Sequence, residues 1–209
     1  MKDWDKFIRE TTNPKVIAGI VACVDEEERF LIVKRSKTDR LHPGYWEWPG
    51  GHIDETDESI EEGAARELLE EANVQTKVSD LIYFAVQRFT RPAIEDPNKE
   101  LHVTRYFFIT KNWTGDPKIV PNPETGILEH DDLKWATKEE ILSLDNSEID
   151  NYLLDKAVKA IGGTTQFDLE HQLQSLLNIL RNRNDREFNK LLDSTNHLTT
   201  CGYTGFYWE

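Results

Sequence analysis

Glu67, Glu70 and Glu71 stand at positions i, i+3 and i+4 of the segment Arg66-Glu-Leu-Leu-Glu-Glu71. If that segment is helical, their carboxylates converge on one face within an arc of about 100°. An exposed acidic helix face is ordinarily just solvated, and like charges one turn apart then cost only a few tenths of a kcal/mol. In a partly buried cleft a pair about 4 Å apart would cost roughly 4 kcal/mol at an effective dielectric of 20. A hard divalent cation relieves that repulsion, and Mg²⁺ bound by carboxylates also takes phosphate oxygens. Spacing alone leaves both readings open, a solvated face and a cation site that also takes phosphate.

Local rules supply the helix that the cluster needs. Ser59-Ile-Glu-Glu62 has the form of a capping box, in which the serine hydroxyl and the Glu62 carboxylate take amides at the helix start. Good helix formers follow, and Asn73 suits the left-handed position just beyond the end. The expected helix runs from about Ile60 to Ala72, with Ala65, Leu68, Leu69 and Ala72 as its buried stripe. Gly63, one turn before Glu67, would leave room for a ligand to approach the backbone.

Around this helix the pattern alternates between apolar runs and turns. Val16–Cys23 and Phe30–Lys34 read as strands joined by the polar turn Asp25–Glu28. Trp46–Ile53 is a short extended piece broken by Pro49-Gly50-Gly51, and further strands are expected at Thr76–Val78, Leu81–Phe89, His102–Thr110 and Leu133–Ala136. Thr137–Leu144 and Ile149–Ile161 read as helices, the second ended by Gly162-Gly163. Beyond lies a change of character. Leucines at helical spacing from Leu169 to Leu192 and an aromatic tail (Tyr203, Phe206, Tyr207, Trp208) suggest a C-terminal helical extension. The expected division is residues 1–163, with a core at about 15–161, and an appendage at 164–209.

The 209 residues carry a net charge of −14. That field disfavours nucleic-acid polymers and anionic membranes as partners, and it makes a cation the natural partner for any phosphate the protein handles. No stretch is long and apolar enough to cross a bilayer, and the first residues lack the apolar core of a signal peptide. Two cysteines far apart, Cys23 and Cys201, read as free thiols, and the expected location is cytoplasmic.

Taken together, Gly51-His-Ile-Asp-Glu-Thr-Asp-Glu58 and the run from Ser59 to Val74 resemble the Nudix box. The Trp-Glu-Trp-Pro-Gly-Gly approach and the later His102–Pro117 segment look like its MutT-like branch. From Glu58 onward the spacing matches, with Asn73 where the family has glycine, while the Gly51–Glu58 interval is one residue longer than the pattern.

The resemblance implies an α/β fold, an α/β/α sandwich around a mixed β-sheet. It implies Mg²⁺, with Mn²⁺ as a substitute, bound by Glu67, Glu70, Glu71 and a carbonyl of the glycine pair, assigned to Gly51. Arg66 would orient the ligand carboxylates, and Glu58 would be structural. The catalytic set is then Arg66, Glu67, Glu70 and Glu129, with Glu67 and Glu129 the two candidates for general base.

Arg35 and Arg105 are candidate phosphate contacts, and Phe89 and Tyr106 are candidate stacking surfaces for a base. The expected reaction is hydrolysis of a nucleoside triphosphate, modified ones included, to the monophosphate and pyrophosphate. NDP-sugars or ADP-ribose are the alternative substrates, and a nucleotide-sensing domain without turnover is the alternative class. The C-terminal helices could form a homodimer.

Overall fold

The computed structural model describes residues 15–123 and 125–162. The expected C-terminal helices, and any dimer formed through them, lie outside the described residues. Among those residues no helix is long and apolar enough to cross a membrane.

Strands β1 (Lys15–Cys23) and β2 (Phe30–Arg35) are joined by a turn in which the Asp25 carboxylate takes the Glu27 and Arg29 amides. Two short strands flank the proline-glycine turn, β3 (Trp46–Glu47) and β4 (Gly50–His52), and helix α1 (Ile60–Ala72) follows. Next come β5 (Val74–Gln75), a 3-10 turn at Val78–Asp80, and the long hairpin of β6 (Ile82–Pro92) and β7 (Glu100–Thr110). The series closes with β8 (Thr114–Gly115), β9 (His130–Ala136), α2 (Lys138–Leu142) and α3 (Asn151–Ala160).

β4, β1, β7 and β6 form a mixed sheet in that order, with β1 parallel to β7 and both outer pairings antiparallel. β3, β2 and β9 form a second, antiparallel sheet. Strand alternation makes the layers. Val21 and Cys23 of β1 and Leu31 and Val33 of β2 pack with Ala64, Leu68 and Ala72 of α1. Their neighbours Ala22, Val24, Phe30 and Ile32 pack with Leu153, Leu154 and Ala157 of α3. Both faces of these strands are buried, which is why they read as unbroken apolar runs rather than alternating ones. The result is the expected α/β/α sandwich.

Helix α1 has the expected bounds, and Asn73 closes it at φ 55°, its amide donating to the Leu69 carbonyl. Its rotation differs from the expected one. The buried residues are Gly63, Ala64, Leu68, Glu71 and Ala72, while Leu69 is 37% exposed. The reason is a close contact with β1: a Cβ on Gly19 would lie 2.7 Å from the Ala64 Cβ, so Ala64 rather than Ala65 faces the sheet. That rotation carries Glu71 inward.

Gly63 also differs from expectation. A Cβ there would meet Asp57 Oδ2 and the Ile53 Cδ1 methyl, each at 2.6 Å, so the space serves the preceding loop and not a ligand. At the helix start the Ser59 hydroxyl accepts from the Glu62 amide as expected, but the Glu62 carboxylate takes the amide of Glu58. The strand expected at Thr76–Val78 is instead β5 followed by the 3-10 turn.

Candidate metal centre and active site

The Pro49-Gly50-Gly51 turn brings the backbone against α1. Its place is set by hydrogen bonds to β1, where the Val21 amide donates to the Pro49 carbonyl and Gly50 and Gly51 pair with Ile20 and Gly19. Gly50 has φ 154°, and a Cβ there would fall 2.3 Å from the Gly19 carbonyl oxygen, so the turn requires glycine. The Gly50 amide donates to Glu71 Oε2 at 2.8 Å. At Gly51 a Cβ would lie 2.5 Å from Glu67 Oε2, so the bare backbone leaves that carboxylate its place.

Glu67, Glu70 and Glu71 line one cleft with Glu129, His130, Asn122 and Val120. Four carboxylates from two separate parts of the chain thus face a common space. Glu129 is held by Asn122, whose Nδ2 donates to its Oε1 at 2.8 Å. Burial pushes the Glu67 carboxyl up to about 7, against the opposing pull of Arg66. Glu71 is raised well above the usual carboxylate range, first by burial and then by the charge of Glu47.

Arg66 lies along this acidic row. Its Nη1 donates to Glu67 Oε1 at 3.0 Å and to Glu70 Oε2 at 3.2 Å. The rest of the guanidinium is gripped from the loop. Nε and Nη2 donate to the two oxygens of Asp57 at 3.1 and 3.0 Å, and Nη2 also reaches the His52 carbonyl at 2.8 Å. Asp57 in turn accepts from the Asp54 amide at 2.8 Å, and its side chain is only 6% exposed. The Arg66 hydrogen bond holds the Asp57 carboxyl below its ordinary value. Glu58, for which the resemblance implies a structural role, is exposed. The extra residue in the Gly51–Glu58 interval accompanies this arrangement, in which Asp57 is the acid that clamps Arg66.

Among the described residues no three acidic, histidine or cysteine side chains are already arranged to hold a metal ion. The donor set nevertheless suits one. It is all carboxylate oxygen, with Glu67 and Glu71 buried enough to disfavour ionisation, and it is set beside the Gly50-Gly51 turn. Hard oxygen donors of this kind match Mg²⁺ or Mn²⁺. Glu67, Glu70 and Glu71 would hold the ion, with Arg66 giving up part of its contact with the first two.

The remaining sequence candidates lie elsewhere. Arg35 Nη1 donates to Glu47 at 2.7 Å, Nη2 to Asp39 at 2.6 Å and Nε to the Leu41 carbonyl at 2.7 Å. These contacts engage three of its five N–H donors. Arg105 donates to Glu148 Oε2 at 2.6 Å and lies over the Phe89 ring, 5.2 Å from its centroid. Glu148 also pairs with His42, so Arg105 and Phe89 sit beside the 36–45 loop. Tyr106 lies near Tyr83, with ring centroids 6.3 Å apart. Two residues of the cleft region carried no sequence signal, Glu47 and His130. His130 has no metal-ligand spacing in the sequence, and only the β2–β9 pairing, with Arg35 opposite His130, brings it in.

The chain matches the NUDIX domain family over residues 13–157. It is 35% identical over 78 residues to an uncharacterized Nudix hydrolase, NudL, of Enterobacter sp. (strain 638), covering 37% of this chain and 41% of that one. It is 38% identical over 77 residues to a MutT-like protein of Streptomyces ambofaciens, covering 35% and 45%. The chain thus spans less than half the length of these curated relatives. Among solved structures, a MutT protein from Methanosarcina mazei Go1 superposes with a TM-score of 0.53 at 25% identity, over 73% of this chain and 96% of that one. The domain match covers well over half the sequence and contains the whole acidic cleft, and the chain belongs to the Nudix family.

Proposed function

We propose that this protein hydrolyses a phosphoanhydride bond of a nucleoside diphosphate derivative, taking a nucleoside triphosphate to the monophosphate and pyrophosphate. The observation that carries this reading is the convergence of Glu67, Glu70, Glu71 and Glu129 on one cleft beside the Gly50-Gly51 turn. Carboxylates crowded into one cleft repel one another, and a divalent cation with a polyphosphate is the ligand pair that turns this repulsion into binding. When bound, Mg²⁺ would neutralise phosphate oxygens and polarise the attacking water.

The chain's own groups do the rest. Arg66, clamped by Asp57, keeps Glu67 and Glu70 at the cleft. Glu129, with Oε1 fixed by Asn122, takes the water proton on its other oxygen, and Glu67 is the competing acceptor. Arg105 and Phe89 form the surface proposed to receive the nucleoside end.

A panel of nucleoside triphosphates, NDP-sugars, ADP-ribose and dinucleotides with Mg²⁺, read by the identity of the products, tests the assignment. Monophosphate and pyrophosphate from triphosphates are expected. Faster turnover of ADP-ribose or NDP-sugars would move the substrate class. Tight binding of a nucleotide with no product from any compound would replace catalysis by sensing.

A further inference from the structure

His130 is 3% exposed, yet its Nε2 does not face the core. It lies 3.3 Å from Glu47 Oε1 and 3.9 Å from Glu71 Oε1. Nε2 is within hydrogen-bond reach of Glu47 and in longer polar contact with Glu71, so the imidazole stands between the two carboxyl groups. Glu47 Oε1 also accepts from Arg35 Nη1 at 2.7 Å. Arg35 in turn holds Asp39 and the Leu41 carbonyl, and the Leu41 amide donates to Asp39 Oδ1 at 2.6 Å. A largely buried row of polar groups therefore runs from the Gly50 amide to Glu71, across the 3.9 Å contact to His130, and by hydrogen bonds through Glu47 and Arg35 to the 36–45 loop. It joins α1, β9, β3 and β2, elements that no local sequence pattern couples. A polar network of this length in the interior restricts each member to few positions, since a misplaced donor or acceptor loses its partner with no water to replace it.

We infer that His130 is a positioning residue: with Glu47 and Arg35 it forms an internal strut that fixes the Glu71 carboxylate for the metal and ties the metal cleft to the 36–45 loop. The inference rests on the metal-dependent reading proposed above. The strut is distinct from the Asp57–Arg66 clamp, which acts on Glu67 and Glu70 from the other end of the cleft.

The test is Mn²⁺ affinity by electron paramagnetic resonance on the full chain without nucleotide, beside hydrogen exchange of the 36–45 amides. His130→Ala should weaken Mn²⁺ by on the order of 10–100-fold, the usual effect of losing an outer partner of a ligand. His130→Gln places an amide N–H near the Nε2 position and should recover most of the loss, whereas His130→Asn is too short and should not. Arg35→Ala should also weaken Mn²⁺ with no nucleotide present, and should speed exchange at 39–45. In wild type, adding Mn²⁺ should slow exchange in that same loop.

Wild-type Mn²⁺ affinity in His130→Ala, or equal losses in the Ala, Asn and Gln variants, would overturn the strut while leaving the metal site standing. Failure of the wild-type chain to bind Mn²⁺ at all would instead remove the metal-dependent reading, and the strut with it. Thermal unfolding of each variant separates loss of the fold from loss of the ion: a folded His130→Ala protein with weakened Mn²⁺ supports the inference, and if that variant unfolds, His130→Asn against His130→Gln decides it.

Discussion

Two arginines bracket the acidic cleft, and they work in different ways. Arg66 touches Glu67 and Glu70 directly and is fixed by Asp57, nine residues before it. Arg35 touches none of the helix glutamates and reaches Glu71 only through Glu47 and His130. The first arrangement is local and rides on one loop and one helix. The second needs the β3-β2-β9 sheet to be paired and packed against α1. The contrast explains why one end of the cleft can be read as a motif and the other cannot. It also makes the two ends separable by mutation.

The largest effect is expected where both arrangements end, at the ligands. Glu70→Ala and Glu71→Ala should each lower kcat by several orders of magnitude while far-UV circular dichroism stays native, because each removes a proposed ligand of the cation that would stabilise the developing charge. Near-normal turnover in both would break the account of either arginine.

A smaller effect tests the local end. Asp57→Asn should lower kcat by roughly 10–100-fold, as expected when the partner orienting a ligand-holding group is weakened. Glu58→Gln should stay within about threefold of wild type. The reverse order would return the clamp to Glu58 and undo the assignment from loop geometry.

Stability sharpens the same distinction. Leu68 is fully buried against β1 and β2, and Leu68→Ala should cost about 2–5 kcal/mol in a urea titration. Leu69→Ala should cost well under about 1 kcal/mol, because that side chain is 37% exposed. Equal losses would contradict the helix rotation that carries Glu71 inward.

The smallest effect is a pH trend in metal-free protein. The Glu67 carboxyl is raised by burial from 4.5 to about 7 in the fold, so the folded chain holds more protons than the unfolded chain between those values. Its contribution to stability is therefore present at the acid end and is lost as pH rises from 4.5 through 7. The midpoint of thermal unfolding should fall modestly between pH 5.5 and 8, less so in Glu67→Gln, and added Mg²⁺ should offset the fall most at pH 8.

The legible parts of this protein are those whose causes are close in sequence. The bounds of α1, its serine cap and the left-handed Asn73 all follow from side chains within one turn of the feature they control. The strands β1 and β2 were legible because burial on both faces leaves a run of apolar residues. The rotation of α1 was not, since Ala65 and Leu69 fit the apolar spacing as well as Ala64 does. What decides is the missing side chain at Gly19, a residue of another element. Asp57 was hidden by a one-residue difference in loop length, which moves the acid without changing the residue types present. Glu47 and His130 were invisible for a third reason: they meet Glu71 only after β2, β3 and β9 have paired.

Crystals grown with Mn²⁺ and a non-hydrolysable nucleoside triphosphate offer the most direct test of the metal-centred account. It predicts an anomalous peak about 2.2 Å from carboxylate oxygens of Glu67, Glu70 and Glu71, with the polyphosphate on its far side. A nucleotide bound in the cleft with no such peak, or a peak held only by residues outside α1, would contradict it.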